Sequence, residues 1–321
     1  MRAFEYSSPA SAEEAIRLLA GGSRALAGGT DLLPLMKADL ASPSRLVNVK
    51  QFLDDRIRED TGALSIGALT VLDEIEKNPV IRQRYTALAE AAAAAASPQL
   101  RNMATIGGNL LQRPRCWYFR SSRIPCWLKD GDDCPAVEGE NRLHALYGGG
   151  PCHAVHPSDP ASALVALEAQ VRVRGKTGER LIPAEDFFAL PSEARRAETV
   201  LEPDELILSV EIPAIAARST YLKAMERKVW TFALVGVAAV MRSSGARVEH
   251  VRIVLTGVAP IPWRAKAAED GLLGKELSET LLIDAADAAL QGAAPLAHNA
   301  YKIPLLKTLV RRALVGISSL R

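Results

Sequence analysis

All four cysteines of the 321-residue chain, Cys116, Cys126, Cys134 and Cys152, fall within one 37-residue window, and the stretch that contains the first three has no pattern of its own. From Gln112 to Gly150 the apolar periodicity lapses, and Pro114, Pro125, Pro135, Gly131 and the run Gly148-Gly149-Gly150 interrupt what is left. A loop far beyond about 15 residues survives in a compact domain only if something other than apolar burial orders it. Buried inert thiols would scatter along the core, and no secretory segment argues for disulfides, so a metal centre explains the clustering best. Four thiolates are the ligand set of an iron–sulfur cluster. Zinc also accepts four cysteines, although the spacing Cys116-x9-Cys126-x7-Cys134-x17-Cys152 lacks the short C-x2–4-C pairs usual in structural zinc sites.

The rest of the composition narrows the class. With 48% hydrophobic and 24% charged residues the chain can form two or three domains with real cores. A formal net charge of +2, with the charges dispersed, supplies no basic face for nucleic acid or an anionic membrane. The apolar run near Phe232–Met241 is too short to span a bilayer, and Met1–Tyr6 contains no apolar signal core, so no membrane insertion and a cytoplasmic location are expected.

Short helices and strands alternate in the first part. Ser11 and Glu14 have the spacing of a capping box, Gly21-Gly22 stops that helix, and a strand at 24–27 runs into Gly28-Gly29 before a helix over 32–40. Strands are predicted at 46–49, 64–68, 171–174 and 206–212, and helices at 85–96 and 159–168. Beyond about residue 218 three strands (221–228, 234–241, 248–258) precede three helices (262–273, 283–290, 305–314), an α+β order that predicts helices on one sheet face.

Two glycine loops carry the chemistry. In Arg24-Ala25-Leu26-Ala27-Gly28-Gly29-Thr30-Asp31-Leu32, glycines between a strand and a helix start let backbone amides approach a phosphate. Thr105-Ile106-Gly107-Gly108-Asn109 is a second such loop, and the pair can hold the two ends of one diphosphate; read as plain Gly-Gly turns they bind nothing. Neither a G-x-G-x-x-G nor a P-loop is present, which leaves a non-Rossmann flavin site open.

With His156-Pro157-Ser158-Asp159, these motifs resemble the FAD-binding subunit family of xanthine dehydrogenase-like molybdenum hydroxylases, over essentially the whole chain. The resemblance implies an α+β fold. A two-subdomain FAD-binding domain of the vanillyl-alcohol-oxidase-like type would span 1–215, with subdomains of about 1–55 and 56–215. A C-terminal domain over 216–321 would hold a three-stranded sheet plus helices, as in CO dehydrogenase flavoproteins. It implies that residues 24–32 and 105–109 wrap the FAD diphosphate, that Asp159 lies near the adenosine half, and that Ile207 and Lys223 make later FAD contacts. Asp159 also suits a helix N-cap, and Lys223 a solvated strand charge.

The cysteine loop, 112–155, resembles the minority branch that includes the periplasmic aldehyde oxidoreductase FAD subunit and the 4-hydroxybenzoyl-CoA reductase beta subunit. That resemblance implies a [4Fe-4S] cluster on Cys116, Cys126, Cys134 and Cys152. Trp117, Tyr118, Phe119 and Trp127 would shield it, with Arg113, Arg115, Arg120, Arg123 and Lys129 offsetting its charge or serving as a loop's solvated surface. His144, His153 and His156 read as hydrogen-bonding loop residues. The partners implied are a small [2Fe-2S] subunit, a large molybdopterin subunit and an external electron acceptor, with periplasmic co-export as the alternative location. The absence of a G-x-S-x-G elbow, an H-E-x-x-H helix or a nucleophile–base pair argues against hydrolase chemistry within this chain, and no catalytic acid or base is expected. The rival readings are a self-sufficient flavin oxidase or dehydrogenase and a metal-stapled protein that binds no flavin.

Overall fold

A computed structural model describes residues 1–60, 62–227 and 231–318. Its strands form three sheets. In the first, β1 (Glu5–Ser7), β2 (Arg24–Leu26) and β3 (Arg45–Asn48) pair in parallel in the order β1-β3-β2. The helix Ala12–Leu18 buries Ala15 and Ile16 against Val47, Val49 and Leu206. Ser11 caps it by accepting from the Glu14 amide at 3.2 Å, while the Glu14 carboxylate reaches back to the amide of Ala10 rather than to that of Ser11. The two orphan donors are thus satisfied with the box shifted by one residue.

The second sheet is antiparallel throughout, β4 (Ile57–Asp60), β5 (Ala63–Gly67), β6 (Gln170–Gly175), β7 (Gly178–Pro183) and β8 (Leu206–Ile212), in the order β4-β5-β8-β6-β7. Leu64, Ile66, Val171, Val173, Val210 and Ile212 turn to its buried face, following the period of two. Polar β4 and β7 form its edges, where no apolar alternation is needed, and sequence periodicity therefore misses them.

The third sheet contains β9 (Arg218–Ala224), β10 (Val235–Ser244), β11 (Arg247–Thr256) and β12 (Trp263–Arg264), in the order β12-β11-β10-β9. It has four strands where three were expected, because Trp263–Arg264 pairs with β11 instead of opening a helix; the helix begins only at Lys266. The predicted strand 221–228 starts earlier, at Arg218, and its last residue, Lys228, lies outside the described residues.

The sheet is also covered on both faces, not one. Val235, Val237, Ala239 and Met241 pack on its own helices, Lys266–Leu272, Glu279–Ala288 and Lys302–Ile317. Ala238, Val240 and Val254 join the core of the second sheet, beneath the helices Thr86–Ala94 and Asp159–Ala166. Burial on both faces is why β10 reads as a continuous apolar run. The alanines of Thr86–Ala94 let strand β9 come close enough for Glu90 to accept from the Tyr221 amide at 2.7 Å and the Thr220 hydroxyl at 2.9 Å. Among the described residues no helix is long and apolar enough to cross a membrane.

Candidate functional site

Between the first and second sheets lies a cavity of about 690 Å³, within the range of cofactor pockets. All nine residues from Arg24 to Leu32 line it on one side. Ala68, Leu69, Thr105, Gly107, Gly108 and the segment around Leu201–Ile207 line the other, Ile207 among them.

The two glycine loops play different parts. Among the described residues, the amides of Gly28, Gly29, Thr30, Asp31 and Leu32 have no intramolecular acceptor. Gly29 holds the left-handed φ of +71° that turns the chain into the helix Leu32–Lys37. A run of unpaired amides on a cavity wall is what an anionic group requires.

In the second loop the amides are already engaged. Ile106 donates to Thr70 O at 2.9 Å, Gly107 to Ala68 O at 3.0 Å, and Gly108 to the Thr105 hydroxyl at 3.2 Å. Gly107 and Gly108 border the cavity, whereas Ile106 is fully buried behind it and Asn109 accepts from the Ser158 hydroxyl at 2.5 Å. The loops meet directly: a Cβ on Gly28 would stand 1.8 Å from the carbonyl oxygen of Met103. Gly28 is therefore required by contact between backbones as well as by the cavity.

Asp159 and Lys223 do not reach the cavity wall. They face each other at 2.8 Å in the core between the second and third sheets, with Lys223 also donating to Ala94 O and the Tyr221 hydroxyl donating to Asp159 at 2.5 Å. Burial pushes the Asp159 carboxyl up against the opposing pull of Lys223 and Tyr221, and burial with the neighbouring carboxylate raises the Tyr221 hydroxyl well above its ordinary value. The helix cap is Ser158, which accepts from the Ala161 amide at 3.0 Å; Asp159 is the first helical residue. His156 is buried against Phe188, and burial lowers its ring to about 4.

The cysteine loop contributes to the same cavity through Arg113 and Phe119. It contains little regular structure beyond the turn Trp127–Lys129 and packs Phe119, Cys126, Trp127, Leu128 and Cys152 on Leu35 of the helix that follows the first glycine loop. Cationic side chains supply the donors its carbonyls need: Lys129 binds Tyr118 O and Ile124 O at 3.0 Å each, Arg120 binds Pro114 O at 2.7 Å, and Arg196 binds Trp127 O at 2.8 Å while stacking on its ring. Asp31 ties the loop to the first glycine loop, accepting from the Arg113 amide at 2.9 Å and from Arg120 at 2.8 Å, and pairing with Arg115 at 2.5 Å. Its carboxylate thereby faces arginines.

Cys126 and Cys152 share one buried cluster, and Cys116 packs against it. Burial pushes Cys116 up to about 11 and raises Cys126 and Cys152, so at neutral pH these thiols keep their protons unless a metal displaces them. The backbone amide of Ala154 already points at Cys152 Sγ, at 3.5 Å. Among the described residues no three Cys, His, Asp or Glu side chains close around a single ion.

Beyond the loop, Lys302 fixes its far end to the third sheet. The residue is fully buried, and Nζ donates to His144 O at 2.9 Å and Gly257 O at 2.7 Å. A neutral amine has two N–H groups for these two carbonyls, consistent with burial lowering the group to about 7. Between that value and the ordinary one the unfolded chain binds the extra proton, so this residue's contribution to stability rises as pH rises above 7. Lys302→Met is expected to cost about 1–3 kcal/mol by leaving Gly257 O unpaired, and to flatten that rise; denaturant titrations at pH 7 and pH 9 read both.

Sequence comparison places these features. Residues 2–215 match the FAD binding domain in molybdopterin dehydrogenase, and residues 220–317 match the CO dehydrogenase flavoprotein C-terminal domain. The chain is 38% identical to the aldehyde oxidoreductase FAD-binding subunit PaoB of Escherichia coli, over 96% of each chain. It is 33% identical to the carbon monoxide dehydrogenase medium chain of Hydrogenophaga pseudoflava, over 97% of this chain and 96% of that one. A solved structure of carbon monoxide dehydrogenase from the same organism superposes with a TM-score of 0.77, at 33% identity and with 98% of this chain and 97% of that one covered. The chain thus belongs to the family of FAD-binding medium subunits of molybdenum hydroxylases.

Proposed function

We propose that this medium subunit carries FAD between its first two sheets and a [4Fe-4S] cluster on Cys116, Cys126, Cys134 and Cys152. In this role it passes electrons from the [2Fe-2S] clusters of a small partner subunit to an external acceptor, with substrate oxidised on a large molybdopterin subunit. The run of free amides at Gly28–Leu32 on the wall of the cavity carries the flavin part of this reading. Those amides bind the diphosphate, Gly107 and Gly108 keep the opposite wall low, and Ile207 closes the apolar side. Asp31, turned onto Arg113, Arg115 and Arg120, keeps its negative charge away from the phosphates. Bound FAD supplies the exchange of electron pairs for single electrons, so no side chain has to act as acid or base.

Two observations support the cluster. The four cysteines gather in one loop with three of them packed in one buried cluster, and cations surround that loop. The spacing of the four cysteines, without the short C-x2–4-C pairs usual in structural zinc sites, favours a cubane over zinc. The cationic hydrogen bonds of the loop also mean that metal ligation is not its sole source of order. The identity to PaoB favours an aldehyde as the substrate class of the complex.

Anaerobic analysis of the co-expressed complex tests both parts. One FAD per chain is expected, together with iron and sulfide in equal amounts beyond those of the small subunit. Zinc in place of that iron overturns the cluster and leaves the flavin standing; a colourless, flavin-free medium subunit within an intact complex overturns the flavin.

A further inference from the structure

One side chain beside the cysteines has no part in the reading above. His144 Nε2 lies 3.2 Å from Cys116 Sγ. The residue is only 2% exposed, and its place is fixed from all sides. Its ring stands edge-on to Trp117 with centroids 5.2 Å apart and lies against Tyr118 at 5.9 Å. Its backbone amide donates to Asn141 O at 2.9 Å, and its carbonyl accepts from Asn299 at 3.1 Å and from Lys302 at 2.9 Å. Among the described residues its other ring nitrogen, Nδ1, is buried with no hydrogen-bond partner.

That geometry sets the tautomer. A neutral imidazole has one N–H and one bare nitrogen. Burying an unsatisfied N–H costs more than burying a bare acceptor, because unpaired donors are the rarer defect in folded proteins. The proton therefore belongs on Nε2, where it meets sulfur. A metal-bound thiolate has no proton of its own and can only accept, which locks the same arrangement.

We propose that His144 is a positioning and tuning residue for the iron–sulfur centre, donating its Nε2–H to the Cys116 thiolate and thereby raising the reduction potential of the cluster. The inference rests on the cluster reading above. A hydrogen bond to a ligand sulfur draws electron density from it and stabilises the more negative, reduced state. A backbone amide, that of Ala154, serves Cys152, whereas His144 places a side-chain ring nitrogen on the sulfur of Cys116. Its distance from the flavin loop is bridged by Arg115, which precedes Cys116 in sequence and pairs with Asp31. The donor thus sits on the ligand nearest in sequence to the link between the two sites.

The test uses the intact complex. His144→Phe keeps a ring for Trp117 and Tyr118 to pack on and removes the donor; His144→Gln keeps an N–H donor. EPR-monitored redox titration is expected to give a lower midpoint potential for His144→Phe at unchanged iron and FAD content, with His144→Gln returning toward the parent value. A parent-like potential in His144→Phe with full iron overturns the inference and leaves the cluster intact. A parent complex whose medium subunit holds no iron overturns the cluster itself. If His144→Phe assembles no cluster, pulsed EPR of the reduced parent complex labelled with ¹⁵N-histidine decides: a ¹⁵N coupling on this cluster is expected, and its absence rejects the hydrogen bond.

Discussion

Gly28→Ala is expected to yield a complex whose medium subunit retains no flavin. The added methyl carbon would stand 1.8 Å from the Met103 carbonyl oxygen and 2.9 Å from the Met103 carbonyl carbon, and neither backbone atom can swing aside as a side-chain tip would. The two glycine loops must then part, and the wall that presents the amides of Gly28–Leu32 moves away from the wall formed by Gly107 and Gly108. A cofactor that touches both walls loses one of them. The neighbouring Gly29 gives a graded comparison: its Cβ would meet only the flexible tips of Leu33 and Leu26 at 3.0–3.3 Å, so Gly29→Ala fails mainly through its left-handed φ, at roughly 1 kcal/mol. Flavin absorbance after gel filtration, read beside far-ultraviolet circular dichroism, separates lost cofactor from lost fold. Stoichiometric FAD in a folded Gly28→Ala complex is the result that defeats the two-walled account.

Asp159→Asn is expected to destabilise the chain by about 3–5 kcal/mol, the cost of breaking a buried ion pair by removing one partner. Lys223 is left with its ammonium 3% exposed and without a counter-charge, only neutral carbonyl oxygens such as that of Ala94 remaining as acceptors, and the Tyr221 hydroxyl loses its charged partner. Removing both charges in Asp159→Asn with Lys223→Met is expected to recover much of the loss, because no uncompensated charge remains. Thermal unfolding of Asp159→Asn, Lys223→Met and the double variant measures the coupling. Equal losses in the single and double variants would mean that Asp159 matters only through its own packing.

The sequence is most legible where one periodic face meets one core. β8 is found over the predicted 206–212, and the helices at 12–18 and 302–317 follow their apolar spacing. It is least legible where two cores compete for one strand. β10 gives no alternation because both its faces are buried, so the sequence suggests helices on one side of the sheet and hides the second layer. Trp263–Arg264 looks like the start of a helix, yet it is drawn into pairing with β11, a tertiary demand that local propensity does not encode.

At the candidate site, the nine residues from Arg24 to Leu32 were readable from glycines between strand and helix, and the structure lines the cavity with all of them. The engagement of the Ile106, Gly107 and Gly108 amides was not, because their acceptors, Thr70 O and Ala68 O, are brought near only by the folded chain. Leu69, Thr199 and Leu201 also line the cavity without a motif to mark them. Asp159 and Lys223, singled out by resemblance, are joined to each other, and nothing in their local sequence distinguishes a buried pair from two ligand contacts.

The sheet of β9–β12 is a party wall. One side belongs to its own helices and the other to the helices of the preceding domain, so neither neighbour can be removed without laying bare the other's apolar interior. The segment between Ile212 and Arg218 is for that reason a seam in the chain and no seam in stability. Foldons, the units in which a protein opens, follow shared packing more than sequence order. The helices Thr86–Ala94 and Asp159–Ala166 should then open together with β10, so that loosening at the C-terminal domain is felt in the preceding domain as lost order.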